Sequence, residues 1–276
     1  MKKFLVLIVF AMIIIFALSC GNEKKSSGYE LALITDVGTI DDRSFNQGSW
    51  EGLKKYAEEK GITHKYYQPT EKTTDAYIDS IDLAVAAGAK IVVTPGFLFE
   101  PAIYKAQDIH PEVNFVLLDG SPQDGNYKDF RIEKNVYSVF YAEEEAGFLA
   151  GYGAVKEGYT NLGFMGGMAV PAVVKFGYGF VQGVNYAAKE FGIKNVKVDY
   201  NYLGGFNPSP ETQTKAASWY RNGVQVIFVA GGGAGNSVMS AAEQNNGYVI
   251  GVDVDQSSES PTVITSAMKM IGESVY

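Results

Sequence analysis

Lys90-Ile91-Val92-Val93-Thr94-Pro95-Gly96 and Phe115-Val116-Leu117-Leu118-Asp119-Gly120 are two short apolar runs, each stopped by turn-forming residues. Neither alternates apolar with polar side chains, so each predicts a strand buried on both faces. Upstream, Glu30-Leu31-Ala32-Leu33-Ile34-Thr35 has the same character and ends in Asp36-Val37-Gly38. Ser44 to Lys60 carries helical periodicity, with Gly61 as its stop. Apolar strands separated by helices make βαβ units, so the chain reads as an α/β protein built on parallel sheet.

The pattern then recurs further along the chain. Gly52-Leu53 with Ala57, Glu59, Gly61 and Ile62 returns as Gly183-Val184 with Ala188, Glu190, Gly192 and Ile193, a shift of 131. Gly88, Ile91-Val92-Val93 and Gly96 return as Gly223, Val226-Ile227-Phe228 and Gly231, a shift of 135. Phe115-Val116 with Leu118-Asp119 returns as Val249-Ile250 with Val252-Asp253, a shift of 134. Any two α/β segments share some likeness, but three matches in one order at nearly one shift point to two similar lobes. The period is domain-sized and is not that of a repeat array.

Composition narrows the function. The chain has 276 residues, 46% hydrophobic and 20% charged, with a net charge of -8. That is globular, and it argues against a nucleic-acid partner, which needs a basic face. One cysteine excludes an intrachain disulfide, and two histidines exclude a His- or Cys-rich metal site. At the N-terminus, Lys2 and Lys3 precede fifteen apolar residues, Phe4 to Leu18. As a helix these span roughly 22 Å, short of a hydrocarbon core of roughly 30 Å, so a secretory signal over residues 1–19 is expected. Ser19-Cys20-Gly21 resembles a bacterial lipobox, with Ala17 where Leu is usual, and makes Cys20 the expected lipidation site. A plain secretory signal beside an incidental cysteine is the alternative. Residues 20–28 are polar and read as a tether, with the fold starting near Tyr29.

Two α/β lobes create a cleft, and ligands in open parallel sheets sit beyond the C-terminal strand ends. Those ends carry Asp36 and the loop to Phe45-Asn46, then Pro95-Gly96 and Asp119. In the second half they carry Gly166-Gly167, Gly204-Gly205-Phe206-Asn207, Gly231-Gly232-Gly233 and Asp253. Carboxylates accept from hydroxyl and ring N–H groups, and aromatic faces stack on flat ligands. Buried acids without nearby cations predict a neutral, donor-rich ligand. Arg43, Arg131 and Arg221 are the only arginines, too few for a polyphosphate clamp. The glycine run at 231–235 fits neither the dinucleotide fingerprint nor the P-loop, so no cofactor is expected.

Further motifs carry a family resemblance along Leu31 to Lys269. They are Thr35-Asp36, Asp42-Arg43-Ser44-Phe45-Asn46-Gln47, Trp50-Glu51-Gly52, Leu118-Asp119-Gly120, and Glu144-Glu145-Ala146-Gly147-Phe148-Leu149-Ala150-Gly151. They continue with Gly163-Phe164-Met165-Gly166-Gly167-Met168, Gly251-Val252-Asp253-Val254-Asp255-Gln256 and Ser266-Ala267-Met268-Lys269. Together these resemble the basic membrane protein family of ABC-importer substrate-binding lipoproteins, in its purine nucleoside receptor group. The resemblance implies a type I periplasmic-binding-protein fold, with two Rossmann-like lobes, three crossovers and a ligand cleft at the hinge. It implies a lipid-anchored, extracytoplasmic protein, expected to be monomeric, that hands purine nucleosides to a permease and its ATPase. It also implies several elements after Tyr276, so that part of the second lobe would lie beyond this sequence. The lobes are expected over 29–140 and 141–262, with a hinge crossover and the start of a final segment over 263–276.

By the same resemblance, Asp36, Asp253 and Lys269 bind the ribose side, and Phe45 and Phe206 sandwich the base. Asn46 and Asp119 read the base edge, and Gly231 or Gly232 supplies a backbone contact. Phe176 is the alternative to Phe206. Each residue also has a plainer role open to it: Phe45 as a helix core residue, Asn46 as a cap, the aspartates as acceptors for loop N–H groups, and Lys269 as a solvated side chain. Asp255 and Gln256 are expected to shape their loop, Glu143-Glu144-Glu145 to start a helix, and His64 and His110 to lie at the surface. A receptor of the same fold for a sugar or other small metabolite is the second function class. An enzyme is the third, without a nucleophile–base pair to support it.

Overall fold

A computed structural model describes residues 30–36 and 38–276. The expected signal segment, Cys20 and the expected tether lie outside the described residues. The first lobe is a five-stranded parallel sheet of β1 (Leu31–Ile34), β2 (His64–Tyr67), β3 (Ile91–Pro95), β4 (Asn114–Leu118) and β5 (Val136–Val139), in the order β2-β1-β3-β4-β5. Its helices are α1 (Phe45–Lys60), α2 (Thr74–Ala86) and α3 (Glu100–Ile109). The second lobe holds α4 (Glu143–Lys156), β6 (Asn161–Gly166), α5 (Pro171–Glu190), β7 (Lys197–Tyr202), α6 (Pro210–Arg221), β8 (Val226–Ala230), α7 (Ala234–Asn245), β9 (Tyr248–Asp253) and β10 (Val263–Met268). Its sheet order, β7-β6-β8-β9-β10, is that of the first lobe, and every pairing in both sheets is parallel.

The internal repeat has a backbone cause. Gly61 and Gly192 follow α1 and α5 with φ of 65° and 64°, and Gly88 and Gly223 precede β3 and β8 with φ of 105° and 93°. Left-handed turns at matching places favour glycine in both lobes. The central strands β1, β8 and β9 are buried nearly throughout, as their unbroken apolar runs predict. The edge strands β2 and β7 mix exposed and half-buried residues, and so lack that signal. His64 and His110 are half-buried, His64 with its ring 5.4 Å from that of Trp50 and His110 with Nε2 2.6 Å from Asp82.

Helices α4 and α5 pack through glycines. A Cβ on Gly147 or Gly151 would lie 2.3 or 2.2 Å from the carbonyl oxygens of Phe176 or Phe180. Gly179 and Gly183 meet Glu144 and Phe148 in the same way. This close approach anchors the glycine motif after Glu145 and fixes the buried start of α4 beside Phe176. Strand β10 pairs with β9 from Val263 to Met268, so the second lobe runs past residue 262 and the crossover begins after that strand. The chain then returns to the first lobe as α8 (Ile271–Val275), whose Gly272 backbone fits against Gly52 of α1. The described residues thus cross between lobes twice, after β5 and after β10.

Candidate functional site

A cleft of about 560 Å³ lies between the C-terminal strand ends of the two sheets. All nine ligand-binding candidates, Asp36, Phe45, Asn46, Asp119, Phe206, Gly231, Gly232, Asp253 and Lys269, line it. They come from the C-terminal ends of β1, β4, β8, β9 and β10 and the loops just after them, from the first turn of α1, and from the segment between β7 and α6.

The loop after β1 is built around Asp42. Its carboxylate accepts the N–H groups of Ser44 (2.9 Å), Asn46 (3.0 Å) and Gln47 (3.0 Å), which caps α1. Burial pushes its pKa up to about 6, with the three N–H groups pulling it down. The cap turns Asn46 toward Asp36. Asn46 Nδ2 donates to Asp36 Oδ1 at 3.2 Å, and that oxygen also accepts the Gly38 N–H at 2.6 Å. Asn46 Oδ1 is left buried without a partner.

Asp119 and Asp253 end β4 and β9 with φ of 55° and 68°, a conformation seldom taken by non-glycine residues. Their matching positions in the two halves therefore reflect one backbone shape. Asp253 Oδ2 accepts the Ser44 hydroxyl from the opposite lobe at 2.5 Å. Asp119 Oδ2 accepts from the Lys269 ammonium, and Asp119 Oδ1 is buried without a partner.

Lys269 corrects the expectation that the acids lack a cation. It is buried at the end of β10 and also lies 3.1 Å from Glu143 Oε1. Its Nζ sits 4.9, 5.1 and 5.4 Å from the ring centroids of Phe45, Tyr141 and Phe176. Burial alone would lower its pKa, but Asp119, Asp253 and Glu143 together hold it above its ordinary value. Burial raises Asp119 and Asp253 in turn, and Lys269 opposes that shift. Glu143 starts α4 as expected, and its buried carboxylate also binds Lys175 at 3.2 Å.

Phe206 is half-buried and its ring lies against Gly167, where any Cβ would come within 2.4 Å. Phe176 belongs to the second-lobe core, 2% exposed and edge-on to Phe228 at 5.8 Å. Both line the cleft but differ in burial: Phe206 is half-buried, and Phe176 belongs to the core. Gly232 takes φ of 55°, and its nearest neighbours are atoms of Phe206. Gln256 shapes the loop after β9 by accepting the Val252 N–H at 3.0 Å, and it also donates to the Arg43 carbonyl across the cleft at 2.8 Å.

The cleft is strongly acidic, with Asp36, Asp41, Asp42, Asp119 and Asp253 along it. Its two lining cations are engaged, Arg43 by Glu259 and Lys269 by Asp119 and Glu143. Asp42, Ser44 and Glu143 are the structural members that the residue-by-residue reading missed. The signal for Asp42 is an aspartate just before a helical run, the composition of an N-cap.

The family described as ABC transporter substrate-binding protein PnrA-like matches residues 29–276. The chain is 32% identical over 272 residues to the ABC transporter nucleoside-binding protein BmpA of Lactococcus lactis subsp. cremoris, covering 90% of this chain and 73% of that protein. It is 31% identical to basic membrane protein A1 of Borrelia garinii subsp. bavariensis, covering 100% of this chain and 79% of that one. A solved ABC transporter solute-binding protein from Aeropyrum pernix K1 superposes with a TM-score of 0.77 at 26% identity, over 90% of this chain and 69% of that chain. XylFII, at 17% identity and a TM-score of 0.62 over 90% of this chain and 91% of its own, shares the fold. The fold is the type I periplasmic-binding-protein fold.

Proposed function

The chain belongs to the PnrA-like family of ABC transporter substrate-binding proteins, and from that premise we propose that its cleft captures purine nucleosides such as guanosine, inosine and adenosine. The observation that carries this reading is a cleft lined at once by carboxylate acceptors, Asp36, Asp119 and Asp253, and by the rings of Phe45 and Phe206. Such acceptors call for a ligand with donors on a flat edge. Phe45 and Phe206 stack on the base, and Asn46 and Asp119 read its edge. Asp36 and Asp253 accept from ribose hydroxyls, and Gly231 or Gly232 offers backbone. Lys269 has three N–H donors, of which Asp119 and Glu143 take two, leaving one for the sugar. Among the described residues both lining cations, Arg43 and Lys269, are already paired with carboxylates, which disfavours nucleotides. A lipid on Cys20 holds the protein at the extracytoplasmic membrane face, beside a permease and its ATPase.

The test is thermal shift and calorimetry with nucleosides, free bases and pentoses. Nucleosides raise the melting temperature by mass action, and bases or pentoses alone do so far less. A shift with a pentose and none with any nucleoside makes the protein a sugar receptor instead.

A further inference from the structure

Helices α4 and α5 turn an apolar face to solvent. Leu149 is 67% exposed, Tyr178 62% and Tyr186 58%, and the rings of Phe148 and Tyr152 lie 5.7 and 6.2 Å from that of Tyr186. Their exposed parts amount to on the order of 500 Å², the size of patch that marks an interaction surface on a soluble protein. The face has charged ends. On α4, Glu145, Leu149, Tyr152 and Lys156 fall at i, i+4, i+7 and i+11 and form one stripe, acidic at its start and basic at its end. Among the described residues neither Glu145 nor Lys156 pairs with an opposite charge of its own chain.

The stripe has a centre. At about 1.5 Å per residue, Leu149 and Gly153 lie about 3 Å to either side of Gly151, and Glu145 and Lys156 lie about 9 and 7.5 Å away. Leu149 projects, whereas a Cβ on Gly153 would meet nothing within 4 Å, so a knob and a hole stand at equal distances from Gly151. A Cβ on Gly151 would meet the Phe180 carbonyl and the Val184 nitrogen, which sets it level with the exposed Gln182 on α5. Tyr178 and Tyr186 stand four residues to either side of Gln182. Both helices therefore share one centre, and the face is its own complement under a two-fold axis that crosses them there.

We propose that this face binds a second copy of the chain as an antiparallel two-fold dimer, against the monomer that the family resemblance implies. Leu149 seats at the partner's Gly153, Tyr178 meets the partner's Tyr186, and Glu145 pairs with the partner's Lys156. The apolar centre and its charged rim together suit a standard interface of roughly 800 Å² per copy. The dimer goes beyond the nucleoside reading and does not depend on it.

Sedimentation equilibrium of the full chain tests this with Glu145→Lys and Lys156→Glu, both on exposed side chains. The wild type sediments as a dimer. Each variant alone sets like charges together at both ends of the interface and raises the dimer Kd about tenfold. Mixed one to one, the two variants form a heterodimer in which both pairs are opposite again, and the Kd returns to within about threefold of the wild type. Association through any other surface gives no such rescue, so its absence overturns the proposal. Leu149→Lys, which puts a charge at the apolar centre, gives a monomer. A wild type that stays monomeric overturns the proposal as well, and if that monomer binds phosphatidylglycerol vesicles through Tyr186, the face is a membrane surface instead.

Discussion

The ammonium of Lys269, carried on the last strand of the second lobe, is bonded to Oδ2 of Asp119 at the tip of β4 in the first. This ion pair therefore joins the lobes, as Arg43 with Glu259 does elsewhere, and it occupies one of the two Asp119 oxygens. Glu143 and Asp253 lie beside the same ammonium, so its removal leaves Asp119 unpaired, while Glu143 keeps Lys175 and Asp253 keeps the Ser44 hydroxyl.

Lys269→Met is accordingly expected to destabilise the fold by about 3–5 kcal/mol, the usual result of unpairing a buried charge. The double variant Lys269→Met with Asp119→Asn recovers part of that loss, because one uncompensated carboxylate is gone. Urea unfolding of the wild type, both single variants and the double variant gives the coupling energy. Additive losses would mean that the pair contributes nothing beyond its separate side chains.

The cleft's rings divide by role. Phe45→Ala and Phe206→Ala should each cost about 1–3 kcal/mol of nucleoside affinity, the range for an aromatic stacked on a base, while the fold survives. Phe176→Ala should instead cost about 3–5 kcal/mol of folding stability, since its ring fills the second-lobe core. Paired calorimetry and chemical unfolding separate the two effects. Unchanged affinity in Phe206→Ala would reassign the stack.

These roles were legible in the sequence to different depths. Strands buried on both faces announce themselves, and so do Asp119 and Asp253, because a repeated sequence fixed by one backbone shape places them alike. The edge strands did not, since His64–Tyr67 faces solvent along much of its length and follows no clean period. The last strand looks like crossover in sequence for a related reason: Val263–Met268 mixes exposed and buried residues, and its pairing with β9 is set by tertiary contact. The cation in the acid cluster was hidden by distance along the chain, with 150 positions separating Asp119 from Lys269. No local pattern encodes such a pair.

Asp42 predicts a pH dependence of stability. Its folded pKa of about 6 lies above its unfolded value near 4. A raised folded pKa stabilises fully below the unfolded value and loses that contribution as pH rises through the folded one. Wild-type stability should therefore fall by on the order of 2–3 kcal/mol between about pH 4 and pH 7 relative to Asp42→Asn, which has no proton to lose. Asp42→Asn also loses an acceptor for one of the three capping N–H groups, so it starts less stable at acid pH by about 1–2 kcal/mol. Unfolding curves across that range test the difference. Parallel pH profiles would show that the Asp42 carboxyl titrates alike in the folded and unfolded chain.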